Sequence, residues 1–289
     1  MPRISVIVPH YDDLKRLDRC LAALTAQSMP ASDFEIVVAD NMSPIGREAV
    51  ERVIAGRARL VLAADKGAGP ARNAGVAASS GALLAFTDAD CVPERDWLAE
   101  GIQALDDCDF AGGRMVVIAE HDGPRSGAEA FETVFAFDNE SYVRDKGFTV
   151  TANLFCSRAV FDRVGPFQVG VSEDYDWCLR ARAAGFRIGY AERAVAGHPP
   201  RADWAALRKK WQRLNAEMFE LALQKRGGRL KWLAHTLALP LSVAAHAPCV
   251  LRSPALADRG ERARGLATLA RLRFWRFTDG LSLAAGIRR

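Results

Sequence analysis

Short apolar runs alternate with amphipathic stretches along the first 110 residues of the chain. Continuous apolar runs are typical of buried strands, whereas leucines that recur every three or four residues predict a helix. The predicted strands span residues 4–8, 34–39, 60–64 and 82–87. The predicted helices span residues 13–27, 44–56, 70–80 and 93–105. Repeated β-α units of this kind predict an α/β fold with a Rossmann-like, mainly parallel sheet flanked by helices.

Capping residues indicate where two of these helices begin. Ser43 followed by Pro44 predicts an N-cap and a first helical position, and Gly56 predicts the end of that helix. Pro93 is interpreted in the same way, as the opening of the next helix.

The pattern changes after residue 110, and the charge changes after residue 200. The intermediate region mixes strands predicted at residues 112–118 and 187–190 with helices predicted at residues 157–164 and 174–184. From Asp203 the pattern is helical. Residues 1–200 contain 21 Lys and Arg against 29 Asp and Glu, whereas residues 201–289 contain 18 against 6. We therefore predict two domains, residues 1–200 and a basic helical extension over residues 201–289.

Two features bear on the cellular compartment. Met1-Pro2-Arg3 leads directly into the first strand, so no signal peptide is expected. The six cysteines form no CxxC pair, which favours reduced, mostly buried thiols over a zinc site or disulfides. We expect a cytoplasmic protein.

Two acidic clusters carry the strongest indication of chemistry. Asp88-Ala89-Asp90 follows the fourth predicted strand, at the edge where open α/β sheets bind ligands. Mg²⁺ is commonly held by one or two carboxylates together with substrate phosphates, although an Asp-x-Asp pair is also common in plain turns. Glu173 and Asp174 lie at the start of a predicted helix, where negative charge is also favourable without any function.

Other strand ends carry residues that suit a nucleotide. Pro9-His10-Tyr11 follows the first strand, where the Tyr11 ring could lie against a base or the segment could be a simple turn. Asp40 follows the second strand, and its carboxylate could accept a hydrogen bond from a nucleobase or help to cap the helix at Ser43.

A glycine-rich turn over residues 66–75 opens a helix and carries two cations, Lys66 and Arg72. Backbone N–H groups at a helix N-terminus suit an anion, and Arg72 could reach a phosphate. Arg72 stands where the G-x-G-x-x-G fingerprint requires glycine, and the segment does not contain G-x-x-x-x-G-K-[ST]. These features disfavour a Rossmann dehydrogenase and a P-loop NTPase.

Taken in order, these motifs resemble those of the inverting family 2 glycosyltransferases, which have the GT-A fold. The matching segments are residues 4–11, 37–43, 69–75, 87–90 and 172–180, and the likeness covers about residues 3–200. The resemblance implies a metal-dependent enzyme that moves a sugar from a nucleotide-sugar donor, with a UDP-sugar as first choice, to a hydroxyl of a glycan or lipid-linked acceptor. A sugar nucleotidyltransferase and a non-catalytic nucleotide-sugar-binding scaffold are the alternatives.

The resemblance also implies roles for individual residues. Nucleotide contacts are implied at Pro9, Tyr11, Asp40, Lys66, Arg72 and Asp88. A Mn²⁺ or Mg²⁺ site is implied at Asp90, Asp88 and His198, although a lone histidine is more often structural. Asp174 becomes the general base, with Glu173 beside it. Contacts with the acceptor are implied at Asn153, Glu173 and Trp177. For Asn153, a plain turn is the alternative.

The sequence departs from the family pattern at two positions. Ala39 replaces the first of two acids that often end the second strand, so the selectivity for the base is open. His10 occupies a position that is usually small or polar, where it could narrow the nucleotide pocket.

The C-terminal region mixes cations with aromatic residues at residues 208–213 and 271–277, around an apolar stretch at residues 232–251. Two prolines and two histidines in this stretch disfavour a spanning helix. We expect interfacial helices on an anionic membrane surface, at the cytoplasmic face, with a solvated bundle or a homo-oligomer interface as the alternative. Nucleic acid is not expected as a partner, because the catalytic half is acidic.

Overall fold

The computed structural model describes residues 2–169, 172–224 and 226–287. The strands in this part of the chain are β1 (Ile4–His10), β2 (Phe34–Asp40), β3 (Arg59–Leu62), β4 (Leu83–Thr87), β5 (Val92–Pro93), β6 (Phe110–Val117), β7 (Asn153–Ser157) and β8 (Ile188–His198). They form one sheet in the order β3-β2-β1-β4-β7-β6-β8-β5. The first four strands run parallel, whereas β7 pairs antiparallel with β4 and β6, and β5 pairs antiparallel with β8. The α/β prediction is confirmed, and its parallel part is β1 to β4.

The helices are α1 (Leu14–Thr25), α2 (Arg47–Ile54), α3 (Ala68–Ala78), α4 (Trp97–Gln103), α5 (Gly127–Phe135), α6 (Asn139–Ser141), α7 (Arg158–Val164), α8 (Glu173–Ala183), α9 (Trp204–Leu223), α10 (Gly228–Ala238), α11 (Ser242–Leu251) and α12 (Arg259–Ala284). A 3₁₀ turn (Ala104–Asp106) follows α4, and a π-helical turn (Tyr142–Lys146) follows α6. The starts of α1, α3, α7 and α8 lie within two residues of their predicted positions.

Two helices begin later than predicted because the expected capping residues make other contacts. The N-cap of α2 is Gly46 rather than Ser43, whose hydroxyl instead donates to Asp40 Oδ1 at 2.5 Å. Helix α4 begins at Trp97, because Val92 and Pro93 form the short strand β5 and pair with β8. Strand β8 has 11 residues and is therefore longer than the four-residue strand predicted at residues 187–190. Its pairing with β5 lies in the part that was not predicted.

The chain divides into two compact units. The first, here called the sheet unit, comprises residues up to 116 together with residues 138–198. Its core is rich in aromatic rings, including a stacked pair of Phe86 and Phe161 at 5.9 Å. The second, here called the helical unit, comprises residues 117–137 together with residues from 199 onwards. A single boundary near residue 200 therefore misses α5, which joins the C-terminal helices.

Apolar side chains explain why α5 belongs to the helical unit. Ala130 and Phe131 of α5 are buried in one cluster with Leu269 and Leu272 of α12. The basic-aromatic segments also contribute to this unit. The guanidinium of Arg276 lies 4.1 Å from the ring centroid of Trp211, at cation-π distance.

No single helix among the described residues is long and apolar enough to cross a membrane. Helices α10 and α11, bent by 54° at the break between them, pass this test only as a pair and only by length and composition.

Candidate active site

A cavity of about 260 Å³ opens at the carboxyl end of the parallel strands. Its lining residues are Pro9, His10, Tyr11, Asp13, Asn41, Ala68, Arg72, Asp88, Ala89 and Asp90. Five of them, Pro9, Tyr11, Arg72, Asp88 and Asp90, were assigned to nucleotide or metal from the sequence. Parallel α/β sheets bind ligands at this edge. The structure therefore brings residues from the ends of β1, β2 and β4 together at this edge.

Arg72 joins the two acidic clusters. Its side chain is 3% exposed, and it donates from Nη2 to Asp88 Oδ1 at 2.5 Å and from Nη1 to Glu173 Oε1 at 2.8 Å. Burial alone would lower the pKa of Arg72, but the two carboxylates raise it above its usual value, so the guanidinium stays charged. Asp88 and Glu173 thus belong to one site. Arg72, assigned to a phosphate from the sequence, is held here by two carboxylates.

A second long-range contact links Asp90 to His198. Val92 of β5 lies opposite Gly197 of β8, and this register carries the end of β8 to the acidic turn. His198 Nε2 lies 3.4 Å from Asp90 Oδ2. The structure therefore brings together two of the three residues predicted to hold a metal.

The donor set of Asp88, Asp90 and His198 is compatible with a divalent cation that is bound together with phosphates. Among the described residues, no group of three or more His, Cys, Asp or Glu side chains is arranged to hold a metal ion. Mg²⁺, however, usually takes only one or two carboxylates from the protein and completes its shell with water and substrate phosphates. These residues fit such a shared ion better than an ion held by protein alone.

Two thiols near the acidic turn do not add to this donor set. Burial, reinforced by the charges of Asp90 and Asp88, raises the pKa of the Cys20 thiol far above its usual value, and the same causes raise that of Cys91. Both side chains are fully buried, so these two cysteines are core residues.

His10 and Asp40 form a buried pair across β1 and β2, where they lie opposite each other in register. The distance from His10 Nδ1 to Asp40 Oδ1 is 2.8 Å, and the backbone N–H of Asp13 donates to His10 Nε2 at 3.2 Å. Because Nε2 accepts, the hydrogen-bond network assigns the ring hydrogen to Nδ1, which donates to Asp40. Asp40 does not line the cavity, and its predicted contact with a base stays a prediction.

The same network supports two unusual backbone conformations. Asp12 and Met42 have φ angles of 54° and 57°, a region uncommon for residues other than glycine. Ser43 connects them, since its backbone N–H donates to Asp40 Oδ2 at 3.0 Å and its hydroxyl accepts from the N–H of Asp12 at 2.9 Å. Ala39, in the place of the missing acid, is buried against Ala71 of α3.

Tyr11 and Lys66 lie on the exposed side of this region. The Tyr11 ring is exposed, and Lys66 Nζ lies 5.7 Å from its centroid. The N-cap of α3 is Gly67, whose φ of 135° favours glycine and whose N–H donates to Asn41 Oδ1 at 2.8 Å. The turn before α3 is thus tied to the loop after β2.

Asp174 lies in the first turn of α8. Its Oδ1 accepts hydrogen bonds from the hydroxyl of Ser172 and the backbone N–H of Tyr175, both at 2.8 Å. The preceding residue, Glu173, is the partner of Arg72. The predicted base is therefore adjacent in sequence to Glu173, whose partner Arg72 lines the cavity.

Trp177 lies in the core instead of the predicted acceptor site. Its side chain is fully buried, its ring packs edge to face with Phe110 at 5.5 Å, and its indole N–H donates to the carbonyl of Gly165 at 3.0 Å. A residue enclosed in this way cannot contact an acceptor, so this assignment is wrong.

Asn153 has a structural role as well. Its buried amide accepts from Trp97 Nε1 at 2.9 Å and donates to the carbonyls of Arg114 and Ala194 at 3.0 Å. These bonds use the side chain to connect α4, β6 and β8, and the acceptor assignment of Asn153 is also corrected.

Asp13 and Asn41 line the cavity but were not singled out from the sequence, whereas His10 was expected to narrow the nucleotide pocket and does line the cavity. Their position directly after or at the end of β1 and β2 is the signal that could have identified them, because every residue at this edge is a candidate for the same cavity.

A mixed α/β sheet with a carboxylate-lined cavity at the ends of its parallel strands is consistent with a nucleotide-sugar transferase of GT-A type. Comparison with known proteins agrees. The sequence model described as "Glycosyl transferase family 2" matches residues 5–170. The chain is also 30% identical to glycosyltransferase AglE of Haloferax volcanii over 220 residues, which cover 73% of this chain and 72% of AglE. The chain belongs to glycosyl transferase family 2 and is a glycosyltransferase.

Two further comparisons concern extent and fold. A pre-mycofactocin glycosyltransferase of Mycobacterium tuberculosis is 28% identical over 222 residues, or 70% of this chain and 44% of that protein, so the match spans less than half of the relative. The mannosyltransferase PcManGT from Pyrobaculum calidifontis, solved with GDP-Man and Mn²⁺, aligns with a TM-score of 0.62 and 22% identity over 99% of this chain and 86% of that one. The structural similarity to PcManGT confirms the GT-A fold.

Proposed function

We propose that this glycosyltransferase moves a sugar from a nucleoside-diphosphate sugar to a hydroxyl of a glycan or lipid-linked acceptor, with inversion and with dependence on a divalent cation. The observation that carries the proposal is the position of Arg72 between Asp88 and Glu173. This arrangement joins a cavity suited to a nucleotide with an acidic helix start that can supply a general base.

On the donor side, the cavity offers an exposed ring and a helix start. The ring of Tyr11 can stack on a base, and Ala68 in the first turn of α3 lines the cavity, where helix N–H groups favour phosphate. Asp88, Asp90 and His198 would hold Mn²⁺ or Mg²⁺, whose charge would stabilise the departing diphosphate.

On the acceptor side, Asp174 takes the proton of the acceptor hydroxyl while the hydroxyl oxygen attacks the anomeric carbon. The new C–O bond forms opposite the bond that breaks between this carbon and the diphosphate oxygen, so the configuration inverts and the nucleoside diphosphate leaves. Glu173, held by Arg72, orients the first turn of α8.

A UDP-sugar remains our proposed donor, and the GDP-Man in the PcManGT structure makes a GDP-sugar the main competitor. We place the reaction in polysaccharide or glycolipid synthesis, at the cytoplasmic face of a membrane. Membership of glycosyl transferase family 2 does not support the sugar nucleotidyltransferase alternative.

The test compares Asp174→Asn with Asp176→Asn, a control because Asp176 pairs with Arg180 of the same helix at 2.8 Å. We expect Asp174→Asn to keep nucleotide affinity and to lose about 10²–10⁴-fold in transfer rate, because only the base is removed. Asp176→Asn should retain most of the transfer. Near-normal transfer by Asp174→Asn would refute the assignment of the base.

The donor side is tested on the same preparations by thermal shift with UDP, GDP, dTDP and CMP, with and without Mn²⁺. One nucleotide should stabilise the wild type in a Mn²⁺-dependent manner. Asp90→Ala should abolish this shift, whereas Asp96→Ala should not, because Asp96 is exposed and its side chain does not cap α4. An unchanged Mn²⁺-dependent shift in Asp90→Ala would remove Asp90 from the metal site.

A further inference from the structure

Helices α10 and α11 present a row of apolar side chains to solvent. Leu230, Leu237, Leu241 and Leu251 are exposed by 74%, 58%, 78% and 51%. Exposed Ala234 lies three or four residues from Leu230 and Leu237, and exposed Ala244 and Pro248 follow at the same spacing between Leu241 and Leu251. Such spacing aligns side chains along one side of a helix. We call Leu230 and the exposed residues from Ala234 to Leu251 the apolar face.

This face lacks the charges that a solvent-facing helix surface normally carries. The sequence from Trp232 to Leu251 contains no Asp, Glu, Lys or Arg. His235 adds no charge at neutral pH, because burial and the nearby cations Arg276 and Arg273 lower its pKa. Large uncharged patches are rare on soluble monomers and commonly mark a surface that binds a membrane or another protein.

Cations lie at both ends of the apolar face. Arg226, Arg229 and Lys231 precede it or lie at its start, Arg252 follows it, and all four are exposed. The sequence from residue 221 to residue 257 contains no acidic residue. Two copies of this chain that met through this face would bring like charges together, whereas anionic lipid headgroups would neutralise them.

We propose that the apolar face lies in the headgroup region of an anionic membrane, with α10 and α11 in the plane of the interface and the flanking cations at the lipid phosphates. Helices with an apolar face and basic flanks bind in this way. The basic-aromatic segments at residues 208–213 and 271–277, which the sequence analysis favoured for docking, are less suited, because Trp211 and Arg276 of these segments stack on each other. The proposal is independent of the donor site and of transferase activity.

A natural cysteine allows a direct test on the full chain. Cys249 is exposed within the apolar face, whereas Cys20, Cys91, Cys156 and Cys178 are buried. Burial and the charge of Asp109 raise the pKa of Cys108 to about 11, so this thiol reacts slowly at neutral pH. An environment-sensitive fluorophore on Cys249 should shift its emission to the blue with vesicles of phosphatidylcholine and phosphatidylglycerol. Vesicle-bound protein without a blue shift would overturn the proposal.

Matched variants separate the apolar from the electrostatic contribution in vesicle co-sedimentation. Leu237→Glu with Leu241→Glu should weaken binding by at least about tenfold, because two exposed leucines no longer enter the lipid. Leu62→Glu changes an exposed leucine of β3 and should bind like the wild type. Arg229→Gln with Lys231→Gln should weaken binding to anionic vesicles only.

Two outcomes would overturn the proposal even if the charged leucine variant folds poorly. The first is wild-type protein that binds neither anionic nor neutral vesicles. The second is a dimer of the wild type, detected by sedimentation, that Leu241→Glu alone disrupts while vesicle binding is unaffected, because this would assign the face to a second copy.

Discussion

The hydrogen bond from His10 to Asp40 determines how two loops beside the cavity are held. His10 donates to a buried carboxylate with Nδ1 and accepts a backbone N–H with Nε2, so both ring nitrogens are used. Asp40 in turn accepts from the backbone and the hydroxyl of Ser43. A residue that departs from the family pattern is thus a positioning residue for the loops that carry Tyr11 and Asn41.

We expect His10→Leu to destabilise the fold by about 1–3 kcal/mol, because it leaves Asp40 buried without one of its donors. Nucleotide affinity should fall with it, since the loops lose their connection. His10→Asn retains a side-chain N–H near the position of Nδ1 and should restore most of both quantities. Urea unfolding measures the stability of the two variants, and nucleotide titration measures their affinity. Equal stability of His10→Leu and wild type would contradict the role of His10 in holding Asp40.

The chemistry at single positions could be predicted from the sequence only where residue type and location agree. Asp88 and Asp90 were predicted as carboxylates at the end of a strand, and both line the cavity. His198 was predicted only through its place beside the proposed site, and the structure brings it to Asp90. Trp177 and Asn153 belong to segments of the same motif pattern, but both side chains point into the core. Whether a side chain faces a cavity or the core depends on packing partners that are distant in sequence.

Helices and strands could be predicted where the sequence signal is local, whereas their pairing in space could not. Apolar runs and leucine spacing predicted β1, β2, β4 and α1, because these patterns are local. The antiparallel insertion of β7 between β4 and β6 and the pairing of β5 with β8 were not predicted, since strand pairing depends on residues far apart in sequence. The membership of α5 in the helical unit was missed for the same reason.

Glu132 of α5 shows how this helix is held. Its buried carboxylate accepts from Lys210 Nζ of α9 and from the backbone N–H of Arg201, both at 2.7 Å. Burial alone would raise its pKa, but Lys210 and Arg201 lower it below the usual 4.5. Ionised Glu132 therefore stabilises the fold above about pH 4.5, and this contribution is lost as the pH falls through the lower pKa of the folded state.

We expect Glu132→Gln to destabilise the chain by about 3–5 kcal/mol at pH 7, because the partly buried Lys210 loses the buried carboxylate that pairs with it. The difference from wild type should shrink as the pH falls from about 4.5 through the lower pKa that Glu132 has in the folded state. Glu140→Gln removes an exposed pair with Arg144 and should cost only about 0.3–0.5 kcal/mol. Urea unfolding at several pH values measures both variants, and a pH-independent difference would contradict the ionic origin.

At the scale of the whole molecule, charge and chemistry are divided along the chain. Acidic residues outnumber basic ones up to residue 200, and the predicted donor and acceptor residues all lie in this part. Basic residues outnumber acidic ones threefold after it, where the apolar face is found. Two ligands of different kinds, a nucleotide and a lipid surface, should therefore leave different footprints on one protein.

Hydrogen exchange measured by mass spectrometry tests this division on the full chain. A nucleotide with Mn²⁺ should slow exchange in residues 9–13, 40–43, 66–69 and 88–91, because these loops and the first turn of α3 surround the cavity. Anionic vesicles should slow exchange in α10, α11 and the turn between them, since lipid would cover the apolar face. Neutral vesicles and the Asp90→Ala variant provide the controls for the two ligands.

Protection of α10 and α11 by nucleotide, with the four segments around the cavity unchanged, would contradict the placement of the donor site. Vesicle protection confined to residues 208–213 and 271–277 would return membrane binding to the basic-aromatic segments.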